Sequence, residues 1–175
     1  MGLAREGADV VINALHAPKL EVLAREIEAL GRKAKPAVAD ISKKAEVDRM
    51  VETAIAAFGR IDILVCNAGI TRFAPFLEMT EEDWDAVLAV DLKGTFLCGQ
   101  AVAKHMVRRR SGKIVNISST SGLGARNPTM ARLTILPCSP PWIALVTRDM
   151  WPANIGPAAA PKMVWAVSPL SPPPR

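Results

Sequence analysis

The sequence predicts an α/β fold built on a doubly wound parallel sheet, and three observations lead there. Short apolar runs alternate with amphipathic stretches from residue 8 to residue 118. The runs are nearly continuous in apolar character, as strands covered on both faces are. Polar or small residues follow each run directly: Asn13, Asp40, Asn67-Ala68-Gly69 and Ser118-Ser119. In a parallel sheet these positions share the carboxyl edge, where such folds bind ligands.

Each element has its own local signal. Ala8 to Asn13 follows Gly7 and reads as a buried strand. Pro18 opens a helix whose apolar face is Leu20, Leu23, Ile27 and Leu30, and Gly31 closes it. Ala34 to Ala39 forms a second strand, and Pro36 confines it to an edge because proline donates nothing to a ladder. Ser42 is the expected N-cap of the next helix, with Val47, Met50, Val51, Ala54, Ile55 and Phe58 on one face and Gly59 at its end. Ile61 to Cys66 is a third strand. Thr80-Glu81-Glu82-Asp83 starts a helical run to about Arg110, in one or two pieces. Lys113 to Ser118 is a fourth strand.

Composition narrows the function classes. The 175 residues suit one domain, and 50% hydrophobic against 22% charged is ordinary for a globular chain. No uninterrupted apolar run nears the ~20 residues of a membrane span, so no membrane partner is expected. Cys66, Cys98 and Cys138 are odd in number and form no Cys-x-x-Cys pair, which argues against a disulfide framework or a metal site and suits the reducing cytoplasm. Residues 1–127 carry a net charge of +2, too little for a nucleic-acid footprint. Arg108-Arg109-Arg110 is read as a solvated helix end.

The stretches Glu6 to Asn13, Ala39-Asp40-Ile41-Ser42, Phe58 to Ile70, Asp91 to Phe96 and Gly112 to Ser119 together resemble the short-chain dehydrogenase/reductase family. Order and spacing match from residue 1 to about 131. The resemblance implies a Rossmann-like sheet, an NADP or NAD cofactor, a small-molecule substrate of the 3-oxoacyl or sugar type, and homo-oligomers paired through helices around 80–110. It places Asn13, Asp40, Asn67, Ala68 and Gly69 on the cofactor, with Asp40 near the adenine amino group. Ser119 falls on the family's carbonyl-orienting serine and Asp91 on its asparagine position. With no acid closing the first strand, and His16 and Lys19 nearby, NADP is favoured over NAD.

The catalytic pattern departs at two further positions. Arg132 stands where the family has its proton-donating tyrosine, and Leu136 where it has the lysine that lowers the tyrosine pKa. The chain contains no tyrosine, and an arginine keeps its proton to above pH ~12. The match begins inside the family's first helix, so the first strand and its glycine-rich turn are missing from the pattern. This leaves an expected gap between the strands at 9–13 and 61–66. Eleven of the 14 prolines lie at or after Pro128. Residues 1–131 are therefore expected to be a partial dinucleotide-binding domain and 132–175 an irregular, divergent or frame-damaged tail. Two echoes of the family pattern survive there, at 144–150 and 164–169. The literal chain is expected to be catalytically incompetent. The alternatives are a non-catalytic binding module or a truncated product without function.

Overall fold

The computed structural model describes residues 1–118 and the strand at 162–166. The elements run α1 (Gly2–Arg5), β1 (Asp9–Ala14), α2 (Ala17–Ala29), β2 (Ala34–Val38), α3 (Lys44–Phe58), β3 (Ile63–Cys66), α4 (Glu81–Val87), a π-helical turn (Leu88–Gly94), α5 (Thr95–Arg109), β4 (Lys113–Asn116) and β5 (Lys162–Ala166). All strand pairs are parallel, in the order β2-β1-β5-β3-β4.

Winding on both faces follows from the alternation of side chains along β1. Val10 and Ile12 point to one face and join Ala4 of α1, Ala8 just before β1, and Leu20, Ala24 and Ile27 of α2. Val11 points to the other and joins a larger core built on α3 and α5, with Val47, Leu64 and Val102 among its most buried members. Asp9, polar but only 3% exposed, is held by an ion pair with Arg32 and by the Lys33 backbone N–H, which donates to its Oδ1 at 3.0 Å.

Several local expectations hold. β2 lies at the sheet edge, with Pro36 opposite Ile12. Thr80 caps α4, its hydroxyl accepting from the Asp83 N–H at 3.2 Å. Gly59 ends α3 in the left-handed conformation, φ 75°, which glycine adopts without strain.

Others are corrected. Ser42 does not cap α3. Lys43 occupies the N-cap without a side-chain bond, because the Ser42 hydroxyl donates to Asp40 Oδ1 instead. Arg109 is not simply solvated; it donates to the Ile61 carbonyl and the Asp62 carboxylate, fastening the end of α5 to the start of β3. The continuous helical run Glu81–Arg109 is long and apolar enough, by length and composition alone, to cross a membrane. Asp91 and Lys93 interrupt its apolar text, and Leu97, Cys98, Ala101, Val102 and Met106 turn into the core.

The gap expected between β1 and β3 is filled. β5 lies parallel to both, with Asp9 opposite Lys162, Asn13 opposite Ala166 and Val65 opposite Trp165. The echo at 164–169 thus overlaps a strand, and that strand stands in the middle of the sheet. The echo at 144–150 lies outside the described residues.

Gly94, buried at the end of the π-helical turn, marks the closest approach between the helices and the segment after β2. A Cβ there would fall 2.7 Å from Ile41 Cδ1 and 2.8 Å from Cγ1, in a place where Ile41 is itself buried. Gly94→Ala is therefore expected to destabilise the fold by about 1–3 kcal/mol through overpacking. Chemical denaturation checks this; an unchanged midpoint would show that Ile41 moves aside freely.

Candidate functional site

β1 and β3 end at the same sheet edge, and a shallow crevice opens there. Its walls are Asn13, Ala14 and Leu15 after β1, Ala39, Asp40 and Ile41 after β2, and Ala68, Gly69 and Ile70 after β3, with Val90 from the π-helical turn above. Four of the five residues expected on a cofactor, Asn13, Asp40, Ala68 and Gly69, thus meet in one place. The fifth, Asn67, is half-buried beside them and does not line the crevice. The space is about 50 Å³, well short of the ~300 Å³ or more of a pocket that encloses a whole ligand. It suits the edge of a flat, partly exposed group.

Asn13 is 2% exposed. Its Nδ2 donates to the carbonyls of Ala37 at 2.9 Å and Ala39 at 3.0 Å. Both amide protons are thereby committed to backbone carbonyls near the end of β2 and just after it, so the side chain clamps the two carboxyl ends together. Only its Oδ1 acceptor remains for other contacts.

Asp40 is held in a tight turn. Its Oδ1 accepts from the Ser42 N–H at 3.0 Å and the Ser42 hydroxyl at 2.7 Å, and its own N–H donates to Glu46 Oε2 at 2.8 Å. Lys43 Nζ lies 3.4 Å from Oδ2. Burial works to raise the Asp40 pKa, but the Ser42 bonds and the Lys43 ammonium outweigh it and hold the carboxyl below its ordinary value. Asp40 therefore presents an anion to the crevice at neutral pH.

Asp91 sits within the π-helical turn, an element found frequently at functional sites. Its Oδ1 accepts from the Ile70 N–H at 2.9 Å, and a Cβ on Gly69 would lie 3.4 Å from that oxygen. The carboxylate thus pins the turn after β3 beneath the helix. Ser119, Arg132 and Leu136 lie outside the described residues. His16 is exposed at the start of α2 and His105 half-buried on α5.

Sequence reasoning missed the apolar part of the lining: Leu15, Ile70 and Val90. Each lies within two residues of a position already singled out (Asn13, Gly69, Asp91), and that proximity is the signal that could have found them.

The profile of the family described as "short chain dehydrogenase" matches residues 1–131. The chain belongs to the short-chain dehydrogenase family. It is 51% identical over 126 residues to the (2S)-[(R)-hydroxy(phenyl)methyl]succinyl-CoA dehydrogenase subunit BbsD of Thauera aromatica, covering 72% of this chain and 51% of that protein. It is 43% identical over 120 residues to the 3-oxoacyl-[acyl-carrier-protein] reductase FabG of Thermotoga maritima, covering 69% and 49%. The structure of a gluconate 5-dehydrogenase from Burkholderia cenocepacia, in complex with NADP and tartrate, matches with a TM-score of 0.66 at 44% identity, covering 71% of this chain and 49% of that one. The chain spans about half the length of the curated relatives it matches. Among these short-chain dehydrogenase relatives the Rossmann-type sheet is shared.

Two thiols line a neighbouring small cavity that shares Ile41 and Ala68 with the crevice. Cys66 ends β3 and Cys98 is on α5; both are buried, and burial pushes them up to about 11 and about 12, the nearby Cys66 adding to the shift at Cys98. Both thiols are thereby held in the unreactive protonated form near neutral pH. In a Cys138→Ser background, Ellman's reagent is expected to find no rapidly reacting thiol in the native protein and two after denaturation. Rapid native labelling would show that this part of the core opens readily.

Proposed function

We propose that this chain is a nucleotide-binding member of the short-chain dehydrogenase family that takes the adenosine end of NADP or NAD and does not by itself reduce a carbonyl. The observation that carries the reading is the convergence of Asn13, Asp40, Ala68 and Gly69 on one crevice at the carboxyl edge. Its chemistry fits that end of the cofactor. Asp40 is an anionic acceptor for an exocyclic amino group, and Ile70 and Val90 give an apolar wall for a flat ring. When bound, the nicotinamide end of such a cofactor supplies a hydride.

A proton must accompany that hydride, and the chain supplies no donor of the family type. Its sequence contains no tyrosine, and the corresponding positions hold Arg132 and Leu136. Asp91, at the family's asparagine position, is engaged in holding the turn after β3 by accepting from the Ile70 N–H. The 3-oxoacyl or sugar substrate class is carried over from the relatives' names and belongs to a protein with the full catalytic set.

His16 and Lys19 are exposed just after β1, and no acid closes that strand. That favours the extra phosphate of NADP. NADPH is expected to bind saturably and more tightly than NADH at low salt. Lys19→Glu should narrow the difference. NADPH oxidation with a 3-oxoacyl thioester or a keto-sugar acid should not exceed background. Calorimetry and absorbance at 340 nm check these. Turnover that survives repurification overturns the catalytic part, and a folded chain without saturable binding overturns the nucleotide part.

A second copy of the chain is the proposed macromolecular partner. Trp84 (56% exposed), Leu88, Leu92 (66%) and Phe96 (59%) recur every four residues along the 81–109 run and form one exposed apolar stripe. Light scattering is expected to show a dimer or larger species. Leu92→Glu with Phe96→Glu should shift it to monomer, and a monomeric wild-type chain at 100 μM would refute the pairing.

A further inference from the structure

β1 and β3 do not pair with each other; in the sheet they are joined only through β5. Both are largely buried, so each has a row of backbone N–H and C=O groups that water cannot satisfy and that a strand must. β5 provides that strand from both of its edges, in parallel register with Asp9 to Asn13 on one side and Ile63 to Val65 on the other. It is five residues long, Lys162-Met163-Val164-Trp165-Ala166, and separated from β4 by the 45 residues 117–161. Strands in a sheet stand about 4.8 Å apart. With β5 in place, β1 and β3 are therefore about 10 Å apart; paired directly, they would be about half that.

The crevice is built across this interval. Asn13 and Asp40 belong to the β1–β2 half, Ala68 and Gly69 to the β3 half. Each half has its own side-chain fastening, Asn13 to the Ala37 and Ala39 carbonyls and Asp91 to the Ile70 N–H. Neither fastening crosses the interval.

We propose that the interval between β1 and β3 is a strand-acceptor site, filled by residues 162–166 of the same chain as an exchangeable donor, and that its occupation sets the width of the crevice. Recognition rests on backbone pairing and an apolar extended segment, as in strand addition generally. A free peptide of the same sequence at millimolar concentration is expected to compete with it.

The test uses the full chain and no nucleotide. Hydrogen exchange is expected to show 9–14, 63–66 and 162–166 protected together. Val164→Pro removes an N–H from the centre of the donor and should abolish protection in all three segments. A labelled peptide covering residues 160–168 should bind that variant with 1:1 stoichiometry and restore protection at 9–14 and 63–66; the same peptide carrying the proline should not. Retained protection at 9–14 and 63–66 in Val164→Pro, or a peptide that neither binds nor restores it, overturns the proposal. Should the variant not stay in solution, wild-type chain with the labelled peptide at millimolar concentration gives the answer. Label incorporation with selective loss of protection at 162–166 supports exchange, and full protection without incorporation refutes it.

Discussion

A parallel sheet buried on both faces must pair the backbone edges of every inner strand, and most of this structure follows from that requirement. Amides shut away from water cost roughly 1–3 kcal/mol each when left unpaired. β1 is the strand most exposed to this penalty, because all but its last residue is buried. β2 satisfies one edge and β5 the other. The two cores on either side are then separated cleanly by the alternation of Val10, Val11 and Ile12. A sequence pattern that supplies four strands and a gap is physically incomplete; the structure closes it with a segment far along the chain.

The same requirement shapes the crevice. Backbone pairing ends at the carboxyl edge, and polar side chains take over where the ladder stops. Asn13 donates to its ladder partner Ala37 and, past the last ladder pair, to Ala39. Asp40 turns the chain through Ser42 and remains ionised because those bonds and Lys43 prevail over burial. Asp91 does the corresponding work after β3. Residues recognisable as ligand-edge positions are thus also the residues that hold the edge together. Substituting any of them disturbs shape and chemistry at once.

Much of this was legible in the sequence because the signals were local. Pro36 foretold an edge strand, Thr80 a capped helix and Gly59 a helix stop, each from chemistry within a few residues. Ser42 was misread for an equally physical reason: a hydroxyl can cap a helix or bond a neighbouring carboxylate, and Asp40 two residues earlier competes successfully for it. Arg109 looked solvated because its partners, Ile61 and Asp62, are distant in sequence. The place of Lys162–Ala166 was least legible. A short, mostly apolar run announces a strand and says nothing about its neighbours, since parallel pairing leaves no turn signature to read.

On the proposed reading, fold and chemistry come apart in this chain at an identifiable point. Among the described residues, the carboxyl-edge crevice is lined by the ends of β1, β2 and β3 and by the helix above them, all between residues 13 and 90. Hydride chemistry of the family type needs in addition a proton donor whose pKa can be brought near neutrality. A phenol starts at about 10 and reaches that range with a neighbouring cation; a guanidinium starts above 12, and a neighbouring cation favours its loss of a proton far too weakly to close the difference. On the proposed reading, an arginine at position 132 does not take over that role. A site can keep its recognition surface while losing its reaction, because recognition is spread over several strand ends and the proton rests on a single side chain.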